Sequence, residues 1–463
     1  MSAVRVNLIV FLFLTFFIYI NSIFAAETVA TSPKDEKVAE PFAFGDFTWL
    51  NGNSRQKTPV FDSKYFTGEF TFDANYIYDF NHPKDHTIVG STNTGRSNEF
   101  QVEQLGVGGD FHYENIRGRL MTQFGMYATM TPRNDASPSR GQWDLSDAYR
   151  YISEAYGGYH WDVWSGINLD VGIFMSYIGL CSYYNFENWI YQMSYVSSNT
   201  PWFFNGVRLQ TFPSDKLKLE YWLINGWQSY GMFNEQPGIG MEVLYRPSQD
   251  WSFVSNEYWG ADTLNTPGRQ RFHDDTSLQY KYKDTPKDFI SKGAFSLTGD
   301  IGCESGGGVS CAGGSPSAPS QYFLGVMAYN RFWFEKDKYA FTFGGGAINN
   351  PGRYLVLTPP IQISSGATGG ATASTGAAPY FTQNPGDQFH AWDSSIGFDY
   401  MPNENLTFRI EAIHRVADTP YFSGPNGISY SDGTNNNPNG TATINPDLST
   451  SETRINAAMM VRL

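Results

Sequence analysis

From Phe66 to Phe80 the chain alternates with a period of two. The even positions, Phe66, Gly68, Phe70, Phe72, Ala74, Tyr76, Tyr78 and Phe80, carry no charge. The odd positions hold Glu69, Asp73 and Asp79 among Thr67, Thr71 and Asn75. Successive side chains on a strand point to opposite faces, so this is a strand with one apolar and one polar side. Ile116–Met130, Leu406–Val416 and Thr453–Leu463 repeat the pattern, with Arg117, Arg119, Arg409, Glu411, Arg415, Arg454 and Arg462 on the polar side. These runs exceed the roughly 5–6 residues usual in soluble strands. A transmembrane strand needs roughly 9–11 residues, with its apolar face toward lipid and its polar face toward the lumen.

The connections separate the soluble reading from the membrane one. Sixteen strands are expected, from 65–80 to 451–463, including 115–130, 147–160 and 275–284. Short links (Glu114, Pro213–Asp215, Pro247–Gln249, Asp284–Lys287, Glu335–Lys336, Pro402–Glu404) alternate with long ones (81–97, 131–146, 176–201, 228–236, 261–274, 303–319, 350–387, 418–450). Short periplasmic turns opposite long outer loops are what an up-and-down barrel requires, and a Greek-key sandwich has no reason to show them. The Ser, Gly and Ala run at 364–378 and the Asn and Gly run at 431–440 fall in long loops, as solvated insertions. Aromatic residues near strand ends, Tyr65, Phe80, Tyr113, Tyr400 and Tyr421, suit either interfacial belts or simple strand propensity.

Residues 1–26 have one basic residue, Arg5, an apolar core from Leu8 to Ile20 and the small pair Ala25 and Ala26. This is a cleavable secretory signal, although Ile23 or Phe24 sits where a small residue is preferred. Residues 27–64 form an N-terminal segment. Its Lys34–Lys37 stretch is linker-like, and its aromatic Phe42–Leu50 stretch suits packing in the periplasmic mouth. Residues 65–463 form the barrel. The net charge of −14 argues against nucleic acid as a partner. An all-β transmembrane antiparallel up-and-down barrel of about sixteen strands is the expected fold.

Three stretches resemble the putative β-barrel porin-2 family of Gram-negative outer-membrane proteins: 42–70 (FAFGDFTWLNGNSRQKTPVFDSKYFTGEF), 117–145 (RGRLMTQFGMYATMTPRNDASPSRGQWDL) and 172–206 (GIFMSYIGLCSYYNFENWIYQMSYVSSNTPWFFNG). The resemblance is specific over 42–260 and weaker beyond. It implies an outer-membrane address and, more loosely, a channel. Barrels of this kind usually end in an aromatic residue, whereas this chain ends in Leu463. The alternation of the last strand is intact, so membrane insertion is expected.

The resemblance also suggests that 176–201, between the fifth and sixth strands, folds inward as a constriction loop. Glu187 is its sole charged residue, amid Tyr183, Tyr184, Phe186, Trp189 and Tyr191. Those rings either pack on the inner wall or form an apolar track for sugar rings. Inward-facing charges include Arg117, Arg119, Arg208, Arg409 and Arg415, with Glu69, Asp73, Asp79, Asp393, Asp399 and Glu411. One reading places Glu187 opposite Arg117 and Arg119 across an eyelet, where charged side chains set ion selectivity. The other pairs these arginines with carboxylates on neighbouring strands, as braces. In the 131–146 loop, Arg133, Asp135, Arg140 and Asp144 are expected to form a structural latch.

Cys303 and Cys311 are eight apart in an exported chain and suit a disulfide, worth about 2–3 kcal/mol at most. Cys181 is left as a packed thiol. His82 and His86 would share a helix face, but Pro83 opposes a helix, so zinc is not expected. No cofactor is expected, and the sequence has no His-Glu-x-x-His, Gly-x-Ser-x-Gly or P-loop. The expected function is a non-enzymatic porin, a passive water-filled channel for small hydrophilic solutes. Its expected partners are outer-membrane lipid, lipopolysaccharide and, by analogy, two further copies in a homotrimer. The alternatives are a sugar-selective channel, a barrel-scaffolded hydrolase or a secreted carbohydrate-binding or carbohydrate-cleaving β protein.

Overall fold

The computed structural model describes residues 40–352, 354–355, 387–430 and 444–463. The expected signal segment and the low-complexity runs 364–378 and 431–440 lie outside the described residues. Sixteen long strands form one ring. They are β1 (Phe66–Asp79), β2 (Phe100–Tyr113), β3 (Ile116–Thr122), β4 (Ile152–Trp161), β5 (Ile167–Met175), β6 (Phe203–Ser214), β7 (Leu217–Ile224) and β8 (Gly238–Tyr245). The second half is β9 (Trp251–Gly260), β10 (Gln270–Asp284), β11 (Ile290–Ser305), β12 (Tyr322–Phe334), β13 (Tyr339–Asn350), β14 (Phe389–Asn403), β15 (Leu406–Ala417) and β16 (Ser451–Arg462).

Each strand pairs antiparallel with its sequence neighbours, and β16 pairs with β1 from Arg454↔Asp79 to Arg462↔Thr71. Leu463 and Phe70 exchange both backbone hydrogen bonds, at 2.9 Å each, so the last residue completes the seam. Closure removes the sheet edges, which is what a strand structure in hydrocarbon must do. A two-residue strand, Phe61–Asp62, adds to β1 at its start.

The faces are inverted relative to a soluble protein. On β15, Ile410 is 61 % exposed, while Arg415 on the opposite face is 0 % exposed. On β14, Trp392, Ile396 and Phe398 point out while Asp393, Ser395 and Asp399 are buried. A soluble barrel hides its apolar face, whereas here the exposed face is apolar and the hidden face is polar. Tyr65, Phe80 and Tyr113 are exposed at strand ends, but Tyr421 is buried against Phe389 and Phe422 and belongs to no outer belt.

The strand order matches the expected one, but several boundaries differ. β3 ends at Thr122 instead of running to 130. At Gly125, with φ of 101°, the chain turns, and an added Cβ would lie 2.5 Å from the Val102 carbonyl oxygen. The apolar period of Phe124, Met126, Ala128 and Met130 therefore belongs to a turn and to the short helix α1 (Tyr127–Met130). The fourth strand, expected from 147, begins at Ile152; its expected start lies in helix α2 (Leu145–Tyr149), capped by Asp144, whose Oδ1 accepts from Ser146 N–H at 2.9 Å. β10 begins at Gln270, five residues earlier than expected. The 418–450 loop contains a hairpin, Phe422–Tyr430 with Ile444–Ser449. Cys303 and Cys311 form a disulfide beyond β11.

Placing a guanidinium on the lipid face at Ile410 should destabilise the folded barrel by about 2–4 kcal/mol. Urea titration of Ile410→Arg in lipid vesicles checks this, with Ile410→Val as the near-neutral control. An unchanged midpoint for the arginine variant would contradict the inverted orientation.

Candidate functional site: a constricted lumen

The segment between β5 and β6 folds into the ring. Tyr183, Tyr184, Phe186, Trp189 and Tyr191 are all buried there, so these rings pack and do not line an open track. The wall grips the backbone of this segment with charged side chains. Glu411 accepts from Tyr191 N–H at 2.6 Å and Gln192 N–H at 2.8 Å. Asp393 accepts from Ser194 Oγ–H at 2.7 Å and Tyr195 N–H at 2.9 Å, where the short helix α3 (Tyr195–Ser198) begins. Arg409 donates to the Asn188 carbonyl at 2.7 Å and Arg331 to that of Trp189 at 3.1 Å. Arg454 donates to Gln192 Oε1 at 2.7 Å. Asp73 accepts from Tyr191 Oη–H and from Asn185 Nδ2–H, each at 2.8 Å.

The N-terminal segment crosses the short-turn mouth. Phe42 N–H donates to the Asp215 carbonyl at 2.7 Å, in the β6–β7 turn. Trp49 Nε1–H donates to the Gln249 carbonyl at 3.0 Å. Asn51 Oδ1 accepts from Trp189 N–H at 2.8 Å, and Arg55 donates to the carbonyls of Asn403 at 2.8 Å and Leu406 at 2.7 Å. The β6–β7 and β14–β15 turns face each other across the ring, so residues 42–57 form a strap. Lys57 bonds Asp46 at 2.9 Å; burial opposes ionisation of Asp46, but Thr48 and Lys57 hold its carboxyl below the usual carboxylate range.

Between the inward loop and the β1–β4 wall lies an open chamber of about 370 Å3, lined by Glu69, Asp110, Arg119, Glu154, Glu187 and Arg462, with Tyr184 beside them. Arg119 bonds Glu69 at 2.8 Å, Asp110 at 2.8 Å and Glu154 at 3.0 Å. Arg462 bonds Glu69 at 2.9 Å and meets Glu187 directly. Glu187 thus shares a chamber with Arg119, but its direct partner is Arg462. Arg117 lies 3.3 Å from Asp170, outside the chamber lining. Arg208 bonds Asp170 at 2.8 Å and stacks over Phe174 at 4.7 Å, bracing the β5–β6 wall. Trp189 sits edge-on to Trp333 at 5.7 Å and donates through Nε1 to the Trp49 carbonyl at 3.0 Å.

Glu154, Asp110 and Arg331 were not among the residues singled out from the sequence, and Arg462 was marked only as lying on the polar side of the last strand. Each lies on an inward face that the period-two pattern marks, but the pattern does not say which strands meet across the lumen. In the 131–146 loop, Asp135 accepts from Ser229 Oγ–H and Tyr230 N–H at 2.9 Å each, tying that loop to the one after β7. Burial pushes the Cys181 thiol up to about 11, leaving it a packed, unreactive group.

A family sequence model matches residues 67–462, nearly the whole ring. The chain belongs to the putative β-barrel porin-2, OmpL-like family. The protein is therefore an outer-membrane porin, through which small hydrophilic solutes diffuse passively. Similar solved structures include OmpT of Vibrio cholerae, with 8 % identity, TM-score 0.46, and coverage of 88 % of this chain and 100 % of that one. The anion-selective porin from Comamonas acidovorans is 7 % identical, with TM-score 0.47, and coverage of 86 % and 99 %. DcaP of Acinetobacter baumannii is 11 % identical, with TM-score 0.46, and coverage of 88 % and 100 %. No curated protein sequence matches the chain.

Removing the Glu411 carboxylate strips two loop amides of a charged acceptor, each such bond contributing about 1.5–3 kcal/mol. Glu411→Ala is expected to lower stability by about 2–3 kcal/mol and to raise single-channel conductance as the loop loosens. Lower stability with unchanged conductance would show that the loop does not set the channel width.

Proposed function

We propose that this porin is a narrow channel with a preference for cations, whose filter is the chamber beside the inward loop. The observation that carries this reading is the charge of the chamber lining. Four carboxylates, Glu69, Asp110, Glu154 and Glu187, stand against two guanidiniums, Arg119 and Arg462. A low-dielectric cleft with an excess of one sign raises the local concentration of the opposite ion. The interleaved pairs also impose a transverse field that orders water and dipolar solutes. Filtering by radius and charge needs no covalent step, and we assign none to the protein.

The wall-packing role of the loop aromatics is favoured over a sugar-stacking track. Stacking needs open ring faces, and all five rings are buried. In the cell, residues 1–26 would be removed on export, and the 27–64 segment would lie at the periplasmic mouth. Lipid would cover the apolar outer face, with lipopolysaccharide at the long-loop end. Assembly as a homotrimer is proposed by analogy with general porins.

Glu154→Gln and Glu187→Gln each remove one negative charge from the chamber. Their reversal potentials in asymmetric salt, measured in planar bilayers, are expected to shift toward anions, and the double variant to shift further. Wild-type reversal potentials in all three would remove the chamber from the ion path.

A further inference from the structure

The strap, the inward loop and the barrel wall meet at a second, smaller space near the short-turn mouth. It has a volume of about 20 Å3 and is lined by Arg55 from the strap, Trp189 from the loop, and Arg331, Trp333, Asp399 and Arg409 from the wall. About 10–15 Å3 of such volume admits one water-sized particle. This space has room for one small ion and none for a phosphate or sulfate.

Its charges do not balance. Asp399 takes Arg409 Nε–H on Oδ1 at 2.6 Å, and Arg409 Nη2–H and Arg331 Nη2–H on Oδ2 at 2.8 Å and 2.6 Å. Both of its oxygens are then occupied. The other donors meet neutral acceptors: Arg331 the Trp189 carbonyl and Thr342 Oγ1, Arg55 the Asn403 and Leu406 carbonyls and Thr407 Oγ1. Arg409 Nη1 and Arg331 Nε have no partner, although both side chains are at least nine-tenths buried. Glu187 also lines the space and shares Arg462 with Glu69. Nearby Asp337 is matched by Lys292, and Glu404, which accepts from the backbone N–H of Lys57 at 3.0 Å, lies outside the lining and attracts Arg55.

Three guanidiniums of the lining therefore stand against two carboxylates, Asp399 and Glu187, leaving an excess of one positive charge. An uncompensated buried charge is strongly unfavourable. Arg55 shows the strain: burial and the neighbouring Arg331 and Arg409, partly offset by Asp399, bring it down to about 10. The remaining lining combines apolar groups, from Leu50, Phe186 and Met401 with the two tryptophans, with the neutral polar residues Thr48, Asn53, Asn188 and Thr407. Guanidinium donors beside neutral polar and apolar groups suit a small monovalent anion.

We propose that this space binds one chloride-sized anion, which offsets the guanidinium excess and ties the strap and the inward loop to the wall. The direct test uses the detergent-folded wild-type protein, crystallised in sodium bromide, with diffraction recorded at the bromine absorption edge. An anomalous peak inside the space, within bonding reach of Arg409 Nη1 or Arg331 Nε, is the expected result. In parallel, the unfolding temperature should rise with sodium chloride relative to sodium gluconate at equal ionic strength. Arg55→Gln, which lowers the excess by one, should flatten that dependence. An empty or water-filled space in the bromide map, or equal unfolding temperatures in the two salts, would overturn the proposal. The wild-type map decides even where the variant does not fold.

Discussion

The inward charges of β12, β14, β15, β16 and β1 grip a peptide segment, and much of the interior follows from that grip. A barrel in lipid has nowhere to put charge except inside. Buried charge is tolerated when it is paired and hydrogen-bonded. Here Glu411, Asp393, Arg409, Arg331 and Asp73 find their partners in residues 185–195. Withdrawing the segment would strip each of these groups of a partner, although Arg409 and Arg331 would keep Asp399, so the constriction and the stability of the wall are coupled.

The same rule organises the rest of the lumen. Arg415 donates to the carbonyl of Val89 at 3.0 Å and to that of Gly90 at 2.5 Å, fixing a second inward stretch from the β1–β2 loop. The strap fastens the inward loop from below, through Asn51 and Trp49. What stays open is the chamber by β1–β4, where Arg119 and Arg462 meet carboxylates on adjacent strands and on the loop. The width and the charge of the passage thus come from one set of contacts.

The ring was legible because lipid imposes a strict pattern. Every strand must alternate, and every second connection must be short. The strand order therefore follows from residues such as Phe66–Phe80 and Leu406–Val416. Boundaries failed where apolar period-two residues served another purpose. Met126 to Met130 continue the strand rhythm, yet Gly125 turns the chain and α1 packs inside. The hairpin in the 418–450 loop carries no lipid-facing pattern, so nothing marked it. Within the candidate site, Glu187 and the loop stood out, because one carboxylate among aromatics is conspicuous. Its partner did not. Arg462 lies 275 positions away, and only the β16–β1 register brings it to Glu69 and Glu187. Arg55 was invisible for a similar reason: a strap residue shows no periodicity, and its role depends on which turns the strap reaches.

Hydrogen exchange of the folded porin in lipid tests the central claim most directly. If the wall charges hold the inward segment, amides of residues 185–198, including Tyr191, Gln192 and Tyr195, should exchange as slowly as those of β14 and β15. Exchange as fast as that of the exposed loop tip at 265–268 would contradict the account, because the segment would then be a loosely tethered loop and the wall charges would need other partners.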